Sequence, residues 1–387
     1  MPSGDCSPIP AGLPDVSGGS EAECTGDGAL VAASELTPLP PPPVGAAPEQ
    51  VQTWFDATLA AALPVHDDTL ASERHAAQAY GQLAKADNTR RAYVAAVRAW
   101  CAWCERRRLR PLPASGPDVA AFLAGERARG LTPETIKLRR AAIRYLHRVA
   151  GCPVPTDDAC VAETLAGIQR TAARQGQHKR KKKAATVQVL RRLIAPIGDD
   201  LTGLRDRAML LVGFAGALRR SELAAIRVGD LEPTERGLRL TLDQTKGSQA
   251  AAVMVPLPHG DTGLCPVRAL ERWLVAAGIT QGAVFRRIWR APGAKEGEAA
   301  ALPRLGRDAL TAQSVALVVQ ARAVAAGFGR RELGGHSLKR GALTTGMDRG
   351  VHPAKLKRLG RHQSYNVLGE YVEFGDLFEG HPLGGVL

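Results

Sequence analysis

The sequence predicts a mainly α-helical protein of two domains with a small antiparallel β-sheet. Three observations lead there. Apolar residues recur at helical spacing through most of the chain from residue 87 onward. One pair of short neighbouring segments, GLRLTLD (237–243) and AAVMVPLP (251–258), alternates or runs apolar as strands do. Five successive cations, 179–183, separate the helical stretches into two groups, because a run of like charge cannot pack into a core.

Composition sets the frame for both groups. With 387 residues, 45% of them hydrophobic, the chain can build two cores. Fifty-one Lys and Arg face 38 Asp and Glu, a net charge of +13, so the expected partner is a polyanion, nucleic acid ahead of a membrane surface. No apolar run approaches the roughly twenty residues that span a bilayer, and the N-terminus lacks the basic-then-apolar order of a secretion signal. The expected location is cytoplasmic. Seven scattered cysteines, an odd number, argue for reduced thiols over a disulfide framework. CAWC (101–104) has metal-like spacing but no second close pair, so helix-core cysteines are expected and no metal.

The elements follow in order. Residues 1–50, rich in Pro, Gly and Ala and including TPLPPPPVGAAP (37–48), show no sustained apolar period and read as a disordered tail. The first domain, 51–174, opens with a short helix around 51–64 stopped by Leu-Pro. Next, DNTRRAYVAAVRAWCAWCERR places Tyr93, Val97, Trp100, Cys101 and Cys104 on one helical face, with Asp87 to Thr89 as its cap. Helices over 116–130 and 132–151 follow, the second with Thr132 as N-cap, Pro133 in the first turn and Gly151 as stop. A fourth covers roughly 158–174. Arg90, Arg91, Lys137, Arg139, Arg140 and Arg144 lie on these helices and are candidates for phosphate contact, or else an ordinary solvated surface. The linker, 175–185, carries Lys179, Arg180, Lys181, Lys182 and Lys183, a phosphate-tracking strap or a spacer.

The second domain, 186–387, begins with an amphipathic helix and a more apolar one, LRDRAMLLVGFAG (204–216). LRRSELAAI (218–226) opens another. The two strands join through QTKGSQ (244–249) as a hairpin, and helices return over 265–278, 311–327 and 337–350. The tail, 372–387, carries Phe374, Leu377, Phe378, Leu383, Val386 and Leu387, too few to form a core, and is expected to dock on a neighbouring protomer or on its own domain.

HSLKRGALTTG (336–346) poses the chemical question. On a helix, residues three and four positions on both lie beside the first, so Lys339 or Arg340 could share an anionic target with His336. The surrounding motifs supply that target. GALRRSEL (216–223) resembles the first arginine box of the tyrosine recombinase, or phage integrase, family, G-L-R-x-S-E-L; GGHSLKRGALTT resembles H-x-L-R-x-x-x-x-T; and LGRHQSYNVLGEYVEF (359–374) resembles L-G-H followed nine residues later by tyrosine. The resemblance runs from Asp87 to the C-terminal end.

That resemblance implies an N-terminal helical, SAM-like core-binding domain and a mostly helical catalytic domain that together clamp double-stranded DNA. It assigns Arg219 as the first catalytic arginine with Glu222 as its supporting acid, Lys246 as the hairpin lysine, and His336, His362 and Tyr371 as further site residues. Tyr371 would attack the scissile phosphate and leave a 3′-phosphotyrosyl bond, as in a site-specific recombinase or integrase, with no metal or nucleotide consumed. The residue types suit the reaction. Cations absorb the charge that grows on the phosphate oxygens, and Lys246 could protonate the leaving 5′-oxygen. A phenol is a reluctant nucleophile at neutral pH, so neighbouring positive charge must favour its ionisation. One departure stands out: the family's second arginine is Lys339 here, with Arg340 next, and lysine keeps the charge but loses the bidentate fork. Tyr365 is a competing nucleophile if the spacing is relaxed. The expected assembly is a homotetramer on synapsed sites. Two alternatives stay open at this point: a DNA-binding accessory protein in which Lys339 marks weakened catalysis, and type IB topoisomerase-like cleavage without synapsis.

Overall fold

The computed structural model describes residues 41–60, 69–177, 182–243, 252–289 and 303–371. The chain divides into two compact units, residues 1–178 and 179–387.

The first unit is built from α1 (Pro48–Ala60), α2 (Leu70–Leu83), α3 (Asp87–Arg107), α4 (Gly116–Ala128), α5 (Pro133–Val149) and α6 (Ala159–Arg174). The Thr132 side chain accepts from the Thr135 amide and caps α5, and Ser115 caps α4 in the same way. Trp100, Phe55, Phe122, Leu123, Ile136, Ile143 and Leu146 are fully buried between these helices. Each such side chain contributes roughly 1.5–3 kcal/mol of transfer free energy. Trp100 stacks on Trp103 at 5.4 Å and donates from its indole nitrogen to the Pro111 carbonyl at 3.1 Å, which satisfies its one buried polar atom. Cys101 and Cys104 lie in this core, where burial pushes the Cys101 thiol up to about 12 and raises that of Cys104 as well.

Three details differ from expectation. Helix α1 starts at Pro48, within the tail expected to be disordered to residue 50, because Val51, Trp54 and Phe55 bury against the bundle. The N-cap of α3 is Ala86 with no side-chain cap; Asp87 is already helical and pairs with Arg90. Helix α2 escapes a sequence reading, since its sequence is polar and carries no strong apolar stripe.

The second unit holds α7 (Val187–Ile194), α8 (Leu201–Ala215), α9 (Arg220–Ala225), β1 (Leu231–Thr234), β2 (Gly237–Leu242), β3 (Val253–Pro258), α10 (Pro266–Ala276), β4 (Arg286–Trp289), β5 (Arg304–Ala309), α11 (Ala312–Ala325), α12 (Ser337–Asp348), α13 (Pro353–Gly360) and α14 (Tyr365–Tyr371). Strands β1, β2 and β3 form an antiparallel sheet in that order, and β4 pairs with β5 in a second one. In the β2–β3 register Leu240 faces Val255 and Leu242 faces Val253, which turns Leu240, Leu242 and Val255 toward the core. The residues joining these strands, Lys246 among them, lie outside the described residues. Strands β1, β4 and β5 escape a sequence reading because they are short and carry proline or charge at half of their positions.

Helix α12 is held where two glycines allow close approach. A Cβ on Gly341 would lie 1.8 Å from the Ala185 carbonyl oxygen, and one on Gly213 would lie 2.8 Å from Leu338. The segment beside α12 belongs to this unit: the Lys183 amide donates to the Glu332 carbonyl, the Ala185 amide donates to the Ser337 carbonyl, and Ala184 and Ala185 are buried. The linker expected to run to residue 185 is therefore packed from Lys182 on, since two alanines and a glycine leave room for the backbones to meet.

Candidate active site

Arg219 stands at the N-cap of α9, its backbone amide and one terminal guanidinium nitrogen both donating to the Glu222 carboxylate, at 2.8 and 2.6 Å. Three residues along a helix start is the spacing at which a carboxylate reaches back to the cap. Glu222 is buried. Burial works against its charge, but Arg361 and Arg219 prevail and hold the carboxyl below the usual carboxylate range.

Arg361 ends α13 in the left-handed region, at φ 52°, and its side chain is 5% exposed. It donates to the carbonyls of Gly216 (3.0 Å), Ala217 (2.7 Å) and Leu359 (2.8 Å) and to the second oxygen of Glu222 (2.8 Å). Its own carbonyl accepts from Arg219 at 3.4 Å. Sequence reasoning missed this residue. The available signal was its position directly before His362, where the L-G-H pattern has glycine.

Lys339 is fully buried, and its ammonium donates to the Gly360 carbonyl and sits 5.5 Å from the centre of the Tyr371 ring. Burial, and then the neighbouring Arg219 and Arg361, pull its pKa down from 10.5 to about 7, against the opposing pull of Glu222. His362 is 7% exposed, with its ring 4.6 Å from that of Tyr371. Neither of its ring nitrogens has a hydrogen-bond partner among the described residues. Burial, then Lys339, Arg219 and Arg361, lower its pKa to about 4, so the imidazole is neutral at neutral pH with one donor and one acceptor nitrogen. Tyr371 is half-buried against the small cluster of Leu343, Leu356 and Leu368.

Lys339 and Arg340 part company. Lys339 turns toward Arg219, Glu222 and Tyr371, whereas Arg340 donates to two backbone carbonyls, those of Lys182 and Tyr371 (3.4 Å for the second). His336 is exposed at the N-cap of α12, while Lys339, one turn on, is completely buried. The structure thus gathers Arg219, Glu222, Lys339, His362 and Tyr371 in one place and leaves His336 at its solvent side. Three cationic side chains share a single carboxylate, and a neutral imidazole has unmet hydrogen-bonding capacity. Such a site favours an anion with several acceptor oxygens.

The expected DNA-binding residues separate into two sorts. Arg139 donates to buried Glu126 and to the Ala95 carbonyl, Arg140 to the Thr156 carbonyl, and Arg144 pairs with Asp157, so these three brace the helical bundle. Arg91 bonds Asn88, Arg90 bonds Asp87 and the Leu59 carbonyl, and Lys137 is exposed. Lys182 donates to the Arg331 carbonyl and Lys183 lies over the Phe328 ring; Lys179, Arg180 and Lys181 lie outside the described residues. Among the described residues no group of three or more His, Cys, Asp or Glu side chains is arranged to hold a metal, and no helix is long and apolar enough to cross a membrane.

Comparison with known proteins identifies the family. The phage integrase family matches residues 183–376, and the phage integrase N-terminal SAM-like domain matches residues 79–151. An integrase/recombinase XerD homolog of Selenomonas ruminantium is 32% identical over 306 residues, covering 77% of this chain and 85% of that protein. Recombinase Cre of Escherichia phage P1 is 26% identical over 296 residues, covering 74% and 84%. Among solved structures, the XerH site-specific recombinase in a post-cleavage complex with its difH substrate shares the fold with a TM-score of 0.58 at 16% identity, covering 90% of this chain and 99% of that one. A lambda integrase dimer bound to a core site gives a TM-score of 0.51 at 16% identity, covering 76% and 74%. The chain belongs to the phage integrase family, the tyrosine recombinases.

Proposed function

We propose that this site-specific DNA recombinase cuts and rejoins DNA through Tyr371. The observation that carries the reading is the buried surplus of positive charge from Arg219, Lys339 and Arg361 on the single carboxylate of Glu222, with the unpartnered imidazole of His362 beside the tyrosine ring. A scissile phosphate supplies both the missing negative charge and the missing acceptors.

In this reading the phenolic oxygen of Tyr371 attacks phosphorus and the bond to the 5′-oxygen breaks. The phenol proton leaves to a neighbouring acceptor, and the 5′-oxygen takes a proton from Lys246. The result is a 3′-phosphotyrosyl bond and a free 5′-hydroxyl, and the reverse step on another strand completes the exchange. Arg219 and Lys339 offset the charge that accumulates on the non-bridging oxygens, while His362 donates a hydrogen bond to one of them, as does His336 from the cap of α12. Glu222 holds Arg219 in place. Arg340 sets the backbone at Tyr371 through its carbonyl. Residues 51–174 serve as the core-binding domain and 186–387 as the catalytic domain, with Arg90, Arg91, Lys137 and the cations 179–181 following the DNA backbone. Homotetramer assembly on two synapsed sites rests on the apolar tail residues from Phe374 to Leu387 and is read out by sedimentation of the protein with and without DNA.

The test is a denaturing-gel search for covalent protein–DNA adducts, using wild-type and Tyr371→Phe protein with DNA flanking the gene. Adducts with wild type alone support the reading. Equal adducts with both proteins would refute it.

A further inference from the structure

Three non-glycine residues among those described adopt positive φ, and two of them, Ala217 (φ 44°) and Arg361 (φ 52°), lie at this site. The left-handed region is costly for a side chain that carries Cβ, so such residues persist only where their surroundings hold them. Here each is held by the other. The Arg361 guanidinium donates to the Ala217 carbonyl, and to that of Gly216 before it, so one side chain fastens both left-handed turns. In the motif patterns G-L-R-x-S-E-L and L-G-H, the glycines align with Ala217 and Arg361. Both flexible positions of the pattern are thus filled, and the guanidinium of one spans to the other.

The same guanidinium reaches the working part of the site. It takes one oxygen of Glu222 while Arg219 takes the other, and the Arg361 carbonyl accepts from Arg219, so Arg219 is fixed from two directions. Lys339 grips the peptide that leads into Arg361, because the Gly360 carbonyl on which its ammonium rests belongs to that peptide. Lys339, in turn, is where the family pattern has arginine. A guanidinium is gained at 361 where one is given up at 339.

We propose that Arg361 and Lys339 are a compensated pair, Arg361 being a positioning residue that aligns Arg219 through Glu222 and the 216–217 turn, and Lys339 the cation that fits beside it. The inference rests on the reading of Tyr371 and Arg219 given above. The charged and titratable groups facing Lys339 are Arg219 and Glu222 from the start of α9, Arg361 and His362 after α13, and Tyr371 on α14. An arginine at 339 would set a third permanently charged guanidinium among them, one that cannot shed its proton.

The experiment is a variant cycle of Arg361→Gly, Lys339→Arg and the double variant, with Arg361→Lys as a charge-keeping control. Covalent adduct formation is timed on a nicked duplex taken from the flanks of the gene. Glycine at 361 accepts the local backbone, so the fold survives while alignment is lost, and a misplacement of about 1 Å is worth roughly 100-fold in rate. The expected pattern is a loss of about 100-fold for Arg361→Gly and about 10-fold for Lys339→Arg, with the double variant within about 10-fold of wild type. Arg361→Lys should resemble Arg361→Gly, since charge without the fork cannot span four acceptors. The pH at which adduct formation falls should also move upward in Arg361→Gly, a change that a purely structural role would not produce. Losses that multiply in the double variant, or an Arg361→Gly protein within about threefold of wild type, would overturn the pairing. If wild type forms no adduct, the Tyr371 reading fails instead. The pairing is then decided by thermal melting of the DNA-free proteins, where the double variant should depart from the sum of the single shifts by roughly 2–10 °C. Strict additivity there would refute it.

Discussion

Replacing Lys339 with methionine should make the DNA-free protein more stable and abolish its strand cleavage. The lysine is fully buried, and its pKa falls from 10.5 to about 7. Each pH unit of depression corresponds to about 1.4 kcal/mol, so below pH 7 the folded state carries a penalty of about 5 kcal/mol for keeping this ammonium charged. Methionine has similar length and no charge. It forfeits the hydrogen bond to the Gly360 carbonyl, worth about 1–3 kcal/mol when the acceptor stays buried, which leaves a net gain of roughly 2–4 kcal/mol. For a unit of this size that is about 5–15 °C in melting temperature. The sign with pH follows from the depressed value. Between about pH 7 and 10.5 the unfolded chain binds more protons at this lysine than the folded protein does, so its contribution makes wild-type stability rise with pH, by up to about 1.4 kcal/mol per unit. Thermal melts of both proteins from pH 6.5 to 10 test this: the gap should be widest at pH 6.5 and close toward pH 10. A Lys339→Met protein that melts below wild type at pH 6.5, or two parallel pH profiles, would refute the argument that this cation is held at a cost.

Three further outcomes follow from the same site and its frame. Glu222→Gln leaves Arg219 and Arg361 buried beside each other without a counter-charge, and should lower stability by about 3–5 kcal/mol along with adduct formation, as denaturant melts and the gel assay would show. His362→Phe fills the same space without unpartnered nitrogens; since the His362 pKa is about 4 in the fold and about 6.5 unfolded, wild-type stability falls by roughly 3 kcal/mol as pH drops from 6.5 to 4, and this variant should lose that acid sensitivity while cleaving DNA about 100- to 1000-fold more slowly. Gly341→Ala would set a methyl group 1.8 Å from the Ala185 carbonyl oxygen, forcing α12 away from the 184–186 segment; a drop in melting temperature and weaker adduct formation are expected together.

The parts of this molecule that could be read from sequence are those whose signal is local. Periodic apolar faces located α3, α5, α6 and α10, and fixed spacings between Arg219, Glu222, His362 and Tyr371 named residues that the fold does gather. The parts that could not be read depend on tertiary approach. A lysine in a cation-rich stretch reads as a surface residue, and nothing along the chain says that Lys339 is enclosed. Arg361 gains its role from a left-handed turn and from the arrival of the 216–217 carbonyls, which come from a segment more than a hundred positions earlier in the chain. Arg139, Arg140 and Arg144 look like phosphate ligands because sequence records their charge and omits Glu126, Asp157 and the backbone oxygens that engage them.

In the proposed mechanism Tyr371 becomes covalently joined to DNA. Tyr365, six residues earlier on the same helix, is exposed and has Lys357 over its ring at 4.9 Å. Trapping the adduct on a nicked duplex, digesting protein and DNA, and mapping the nucleotide-bearing peptide by mass spectrometry distinguishes the two. A nucleotide on Tyr371 alone is expected; a nucleotide on Tyr365, or on any other residue, would overturn the mechanism.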